Sequence, residues 1–266
     1  MGSQMRQPAD VLDAERVAGD DRPRAGARAA ARRELFWEIA SGGTGLALTV
    51  FIWFHVADVG SLLLGPEAFD RLAEFLEGLY IAQPIVFIIT LLFLTHAVAA
   101  ARKIPARMRE RRRLNRLAGE LARAGRGWQA GDGRARPHED SRLWVWQIRT
   151  GMLILVLGSF HIGLVTLDTF TDFWGTRHGM EAATTMERVA GGLSWFYLVL
   201  LALLAIHASL GIYRLAMKWG VGARFSRPGL KRFARIFGVA FMVAGVIVLA
   251  VMAGWIAPPL AFLMGS

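Results

Sequence analysis

Six histidines and no cysteine occur among the 266 residues, and most of the histidines follow a pattern. His55, His96, His161 and His207 each sit alone in a separate long apolar stretch, whereas His138 and His178 fall in polar segments and read as ordinary surface residues. An ionisable side chain inside such a stretch is costly and by default marks a function. An imidazole there can bind a metal, carry a proton or pack through a hydrogen bond. The missing thiols narrow the field: this chain forms no disulfide, no thiolate metal site and no iron–sulfur cluster of its own, and has no cysteine nucleophile.

The elements that hold these residues are long enough to cross a bilayer. A helix needs about 20 apolar residues to span the hydrocarbon, and stretches of that kind cover 36–57, 83–101, 143–167, 192–213 and 236–257. Backbone inside lipid must satisfy its own hydrogen bonds, so each is expected to be a helix. The fold class is therefore all-α: an integral membrane protein of five transmembrane helices, four of which form a histidine-bearing core. Residues 1–34, polar and rich in Ala and Arg without a signal-type apolar core, read as a disordered cytoplasmic tail. The membrane domain covers 35–257, with a cytoplasmic loop at about 102–142, and 258–266 form a short outer tail. Residues 66–80 suit an interfacial helix on the outer face and 105–124 an amphipathic helix on the inner face, with 125–137 as loop.

Charge gives the orientation. The chain is 54% hydrophobic with a net charge of +10, which in a soluble protein could indicate nucleic-acid binding. Here the basic residues lie between the apolar blocks instead. Segment 102–142 holds thirteen basic residues against five acidic, and 214–235 holds seven against none. Segments 58–82 and 168–190 hold one against five and two against four. Basic loops stay cytoplasmic. The N-terminus and both basic segments are therefore expected inside, and the C-terminus outside, with contact to anionic lipid and no nucleic-acid partner.

Orientation makes histidine depth readable. His55 lies three residues before Asp58 and His161 seven before Asp168, at the outer ends of their spans; His96 lies six before Arg102 and His207 seven before Arg214, at the inner ends. At ~1.5 Å per residue the four form an outer layer (His55, His161) and an inner layer (His96, His207), ~10–15 Å apart. Two imidazoles at one depth on different helices meet the requirement for bis-histidine ligation of a haem iron, one from each side of a flat ring. Zinc or copper would draw three or four side chains onto one ion. Small residues one turn from the ligands (Gly158, Gly211, Ala100) could admit a porphyrin, or could serve plain helix packing.

Three segments carry a family resemblance: His96-Ala-Val-Ala-Ala-Ala-Arg-Lys-Ile-Pro105, Leu157-Gly-Ser-Phe-His161 and His207-Ala-Ser-Leu-Gly-Ile-Tyr-Arg-Leu-Ala-Met-Lys-Trp-Gly220. Over about 35–255 the chain resembles the di-haem cytochrome b anchor subunit of succinate:quinone oxidoreductases, and most of all the single-anchor type of menaquinol:fumarate reductases. The resemblance implies two haems b in a five-helix anchor of a bacterial cytoplasmic (inner) membrane, and a place in the respiratory chain and the tricarboxylic acid cycle. It also implies a flavoprotein and an iron–sulfur subunit on the cytoplasmic face, a dimer of such heterotrimers, and electron transfer with a membrane quinone, menaquinone in these relatives. By the same resemblance Lys218 and Trp144 hold propionates of the inner haem and Arg188 one of the outer haem; each could instead be a snorkelling charge, an interfacial anchor or a loop charge. A glutamate near the outer end of the second helix takes up the quinol proton in the family; Glu77 and Glu74 both lie in that stretch, on the far side of a small deletion.

Two positions depart from the family pattern. Ala205 stands where menaquinol-oxidising members carry a proton-relay glutamate, and Ser41-Gly42 replaces a Gln-Ser pair that helps hold propionates. Two other readings fit parts of the pattern: a cytochrome b subunit of a formate dehydrogenase or hydrogenase, and a haem-free anchor or transporter.

Overall fold

The computed structural model describes residues 8–123, 139–171, 181–221 and 224–264. Segment 125–137, His138 and His178 lie outside the described residues. Among those described there are eight α-helices and no strand, and five runs are long and apolar enough to cross a membrane: Gly26–Leu64, Pro84–Leu117, Ser141–Leu167, Ala182–Lys218 and Arg227–Met252. The architecture is all-α.

Helix α1, Pro8–Val59, differs from expectation at its start. The tail read as disordered continues the first span as helix. Ala and Arg are among the best helix formers, and extending a helix that the apolar span has already nucleated costs little. No core is needed for this, and residues 26–36 are all exposed.

A 3-10 turn, Gly60–Leu64, leads into α2, Pro66–Gly78, the short helix expected at this end. It closes with two backbone bonds, Tyr80 N–H to the Glu77 carbonyl (2.8 Å) and Ile81 N–H to Leu76 (3.1 Å). Tyr80 takes the left-handed position of this motif (φ 54), where glycine is usual. The turn reverses the chain into α3, Ala82–Ala101, followed almost without break by α4, Ile104–Arg123, the arginine-rich helix expected there. Helix α5 is Glu139–Thr171.

The fourth span is broken. A seven-residue α6, Ala182–Arg188, passes through a π-helical turn, Val189–Leu193, into α7, Ser194–Lys218, with Gly192 at φ 122. Such a turn redirects a helix without unpairing much backbone. Helix α8, Arg227–Met252, starts at Ser226, whose Oγ accepts from Gly229 N–H. It stops earlier than the apolar pattern implied, because Gly254 (φ 72) and Trp255 bond back to Val251 (3.0 Å) and Ala250 (2.9 Å).

Helices α1, α3, α5 and α7 form a closed ring, each touching the next and α7 returning to α1, while α8 packs outside against α7 and α1. One end of the ring is capped by a packed cluster of Leu62, Phe69, Ala182, Val189, Val248, Leu249, Val251 and Met252. There Asp70 Oδ1 accepts from Ala182 N–H at 2.7 Å, fixing α2 to α6. The opposite end is lined by basic side chains, and the two ends are called capped and basic below.

Candidate functional site: two facing histidine pairs

A cavity of about 1090 Å³ runs down the ring and is lined by all four span histidines. They meet in two pairs. His96 of α3 faces His207 of α7 nearer the basic end, ring centres 6.3 Å apart; His55 of α1 faces His161 of α5 nearer the capped end, 6.2 Å apart. These are the pairs expected from depth alone.

The basic-end pair is held by a cradle that occurs twice. His96 Nδ1 lies 3.1 Å from the Ser41 carbonyl and 3.3 Å from Thr44 Oγ1 of α1. His207 Nδ1 lies 3.0 Å from the Gln147 carbonyl and 3.2 Å from Thr150 Oγ1 of α5. A carbonyl can only accept, so both imidazoles carry their proton on Nδ1 and leave Nε2 bare. The threonine hydroxyls donate elsewhere, to Ala40 (2.6 Å) and Trp146 (2.9 Å), and so are free to accept. A fixed tautomer with an unprotonated Nε2 is the form that binds metal. Each interhelical bond of this kind contributes about 1 kcal/mol.

Room for the rings comes from glycine one residue after each threonine. A methyl added at Gly45 would stand 2.8 Å from His96 Cε1, and one at Gly151 2.9 Å from His207 Cε1. The glycines expected to make room, Gly158 and Gly211, line the cavity together with Ala100, and an added methyl there would meet Phe93 and Gln147 at ordinary distances of 3.4 Å. The sequence signal for the true cradle is a repeat: Thr44-Gly45 precedes His55, and Thr150-Gly151 precedes His161, at one identical spacing.

The capped-end pair has aromatic surroundings. Phe51 stacks on His55 at 5.8 Å, and Tyr197 meets His161 edge-on at 5.5 Å. His161 Nδ1 is buried with no hydrogen-bond partner. An unpaired buried nitrogen is expensive, and a ligand that completes the layer would offset part of that cost. Among the described residues no three His, Cys, Asp or Glu side chains converge on a point, so each layer offers two imidazoles facing across open space.

The remaining candidates divide. Trp144 and Lys218 line the basic end of the cavity, where Lys218 ion-pairs with Glu38 of α1. Arg188 lines the capped end, hydrogen-bonded to Tyr197. Glu74 and Glu77 are not brought in: both are exposed, and α2 presents Phe69, Leu72, Ala73 and Leu76 to the cavity instead. The carboxylate that does line this end is Asp58, one turn beyond His55 on α1 and half-buried. The apolar run hid it, because it falls where the span meets the interface. Gly42 has a packing reason, since a side chain there would meet Leu215 of α7 at 2.8 Å and Trp219, just past its end, at 3.2 Å. Ala205 is buried with its carbonyl accepting from Ser209 Oγ (2.6 Å) and is not part of the cavity wall.

Two facing imidazole pairs in a helical ring have a parallel among known sequences. Residues 127–252 match the profile of the family described as succinate dehydrogenase/fumarate reductase transmembrane subunit. The match takes in just under half of the chain. It covers α5, α6, α7 and α8 and so includes His161 and His207. Similarity extends to the rest of the ring in individual members. The fumarate reductase cytochrome b subunits of Helicobacter pylori strains J99 and 26695 are each 29% identical over 217 residues, covering 79% of this chain and 76% of theirs. That of Wolinella succinogenes is 27% identical over 225 residues, 80% of this chain and 78% of its own. The chain is thus similar, over most of its length, to fumarate reductase cytochrome b subunits.

Proposed function

We propose that the chain carries electrons between a membrane quinone, menaquinone by its likeness to the family, and the iron–sulfur subunit of a succinate:quinone oxidoreductase. The carriers are two haems b, one held by His96 and His207 and the other by His55 and His161. The observation that supports this most directly is the doubled cradle, which gives both basic-end imidazoles the same tautomer on the wall of one cavity. Haem bound in each layer supplies one-electron carriage, with the layers ~15 Å apart, because His55 and His161 stand ten residues beyond Gly45 and Gly151 at ~1.5 Å each.

The chain's own residues bind, orient and seal. Backbone carbonyls of Ser41 and Gln147 hold the ligand tautomers, and Trp144 and Lys218 receive the propionates of the basic-end haem while Arg188 receives one from the other. The ring of helices keeps water from the path. The basic end is cytoplasmic, by the distribution of arginine and lysine, and there the flavoprotein and iron–sulfur subunits dock; the N-terminus lies on that side and the C-terminus outside, in a bacterial inner membrane. The dicarboxylate chemistry belongs to the flavoprotein. Oligomerisation of the resulting heterotrimer as a dimer follows the family pattern. With Ala205 inside the helix packing, no carboxylate relay crosses the membrane at that position.

The test is a redox difference spectrum of the purified chain, expected to show a b-type signal at two haems per polypeptide; absence of that signal overturns the reading. At the quinone side, Asp58→Asn is expected to slow succinate-dependent quinone reduction by on the order of tenfold or more. Glu74→Gln and Glu77→Gln, on the exposed face of α2, are expected to change it less than twofold. The reverse order would return the proton-transfer role to α2.

A further inference from the structure

A second cavity, of about 850 Å³, lies in the crevice between α1 and α8. Two contacts hold its walls together. Trp53 of α1 meets Phe237 and Phe241 of α8 edge-on, at 5.4 and 5.6 Å. Nearer the capped end, a methyl added at Gly60 would touch Val248 Cγ2 at 3.8 Å. The side chains along it are short or aliphatic, among them Ala57, Ala240, Ala244 and Ile247. Ile236, Val239 and Val243, which also border it, are more than half exposed. In a membrane-spanning helix such side chains stand in hydrocarbon.

One charge interrupts this lining. Among the described residues, Arg235 is the charged one that borders the crevice, and no carboxylate borders it. Arg235 stands on the basic-end side: α8 begins at Arg227, while Val248 to Met252 at its other end belong to the cap cluster. An arginine there extends its stem along apolar surface to reach the headgroup layer. Its planar fork suits a phosphate. The segment 214–235 holds seven basic residues and no acidic one, which favours a headgroup of net negative charge over a zwitterionic one. Size narrows the occupant further. Arg235 to Val248 is ~20 Å of helix, so 850 Å³ over that length leaves a section of about 40 Å². A helix with its side chains is ~10–12 Å across and needs roughly 80 Å² or more. The crevice is therefore too narrow to seat a transmembrane helix and suits extended acyl chains.

We propose that this crevice is a binding site for an anionic glycerophospholipid, its phosphate on Arg235 and its acyl chains laid between α1 and α8 towards the capped end. Bound there, the lipid braces α8, which otherwise packs chiefly on α7, against the first helix of the ring. None of the four histidines borders the crevice, so the site stands whether or not the haem reading does.

The test uses the full-length chain with the subunits that copurify, delipidated in detergent. It is titrated with palmitoyl-oleoyl phosphatidylglycerol or phosphatidylcholine, and bound lipid is counted by native mass spectrometry. For the tightest-bound lipid, the wild type is expected to prefer phosphatidylglycerol by roughly fivefold or more, the factor one surface arginine contributes. Arg235→Gln should bring the two lipids within twofold of each other, and Arg235→Lys should restore the preference. Arg232→Gln removes an exposed charge one turn earlier that does not border the crevice, and should leave the preference intact. Ala244→Phe, which fills the crevice, should abolish the tight event for both lipids; if that variant does not fold, the two Arg235 variants decide alone. No headgroup preference in the wild type, or equal losses in Arg232→Gln and Arg235→Gln, overturns the site. The chain has no cysteine, so Val243→Cys tests for another occupant. Rapid disulfide bonding between two such chains in native membranes would put a second copy over the crevice and overturn the proposal; their staying monomeric under oxidant supports it.

Discussion

Exchanging His207 for alanine is expected to halve the haem content of the purified chain, from two per polypeptide to one, and to leave the remaining spectrum that of the His55–His161 layer. The separation of the layers makes the prediction sharp. His207 shares its space with His96 and is held by the Gln147 carbonyl and Thr150, whereas the other pair sits among Phe51 and Tyr197. No residue of the basic-end cradle touches the capped-end pair. Removing one imidazole also leaves the Gln147 carbonyl without that donor, a loss on the order of 1 kcal/mol, too small to unfold a ring of four packed helices. Pyridine haemochromogen titration measures the stoichiometry, and low-temperature difference spectra identify the surviving band. Loss of both haems together, or of neither, would contradict two independent layers. His161→Ala is the mirror experiment and should spare the other layer.

The larger architecture was legible in the sequence because bilayer crossing and loop charge leave strong, local signals. Five apolar runs became five spans, and the two histidine pairs read from depth are the two that face each other in the structure. What escaped was of two kinds. Helix ends and extensions follow backbone events that hydropathy does not register. Ala- and Arg-rich residues ahead of the first span continue it as helix, and Gly254 stops α8 before the apolar run ends. Residues facing inward from a neighbouring helix were also missed. The small residues one turn from each ligand on its own helix, Gly158, Gly211 and Ala100, do line the cavity, but the tightest approach to a ring comes from the helix opposite it. Gly45 serves His96 from α1, and Gly151 serves His207 from α5. The Thr-Gly pairs were visible as a repeat at fixed distance ahead of His55 and His161, but only the fold shows that each threonine serves a histidine on another helix. Glu74 and Glu77 illustrate the same point from the other side, since the sequence places them on α2 but only the fold shows that they sit on its exposed face.

Gly45→Ala and Gly151→Ala provide the second large effect, and its sign runs against helix propensity. In a helix interior, glycine to alanine ordinarily stabilises by about 0.5–1 kcal/mol. Here the new methyl would stand 2.8 or 2.9 Å from an imidazole Cε1, closer than carbon atoms tolerate, and the imidazole has little freedom to retreat. Its Nδ1 is tethered to a carbonyl and a threonine of the same helix that bears the methyl, so moving the ring away stretches those bonds. Overpacking of this kind costs about 1–3 kcal/mol. Spent on the ligand's position, about 1.4 kcal/mol is already a tenfold loss in binding. Each variant is therefore expected to lose the basic-end haem or bind it at least tenfold more weakly, with the His55–His161 spectrum retained. The controls lie on the same two helices: added methyls at Gly43 and Gly163 meet nothing within 4 Å, so Gly43→Ala and Gly163→Ala should keep both haems. If all four substitutions behave alike, the glycines act through helix propensity and the cradle has no part in haem binding; if they divide as the contacts do, a single methyl on a helix that bears no ligand to that haem decides whether the layer forms.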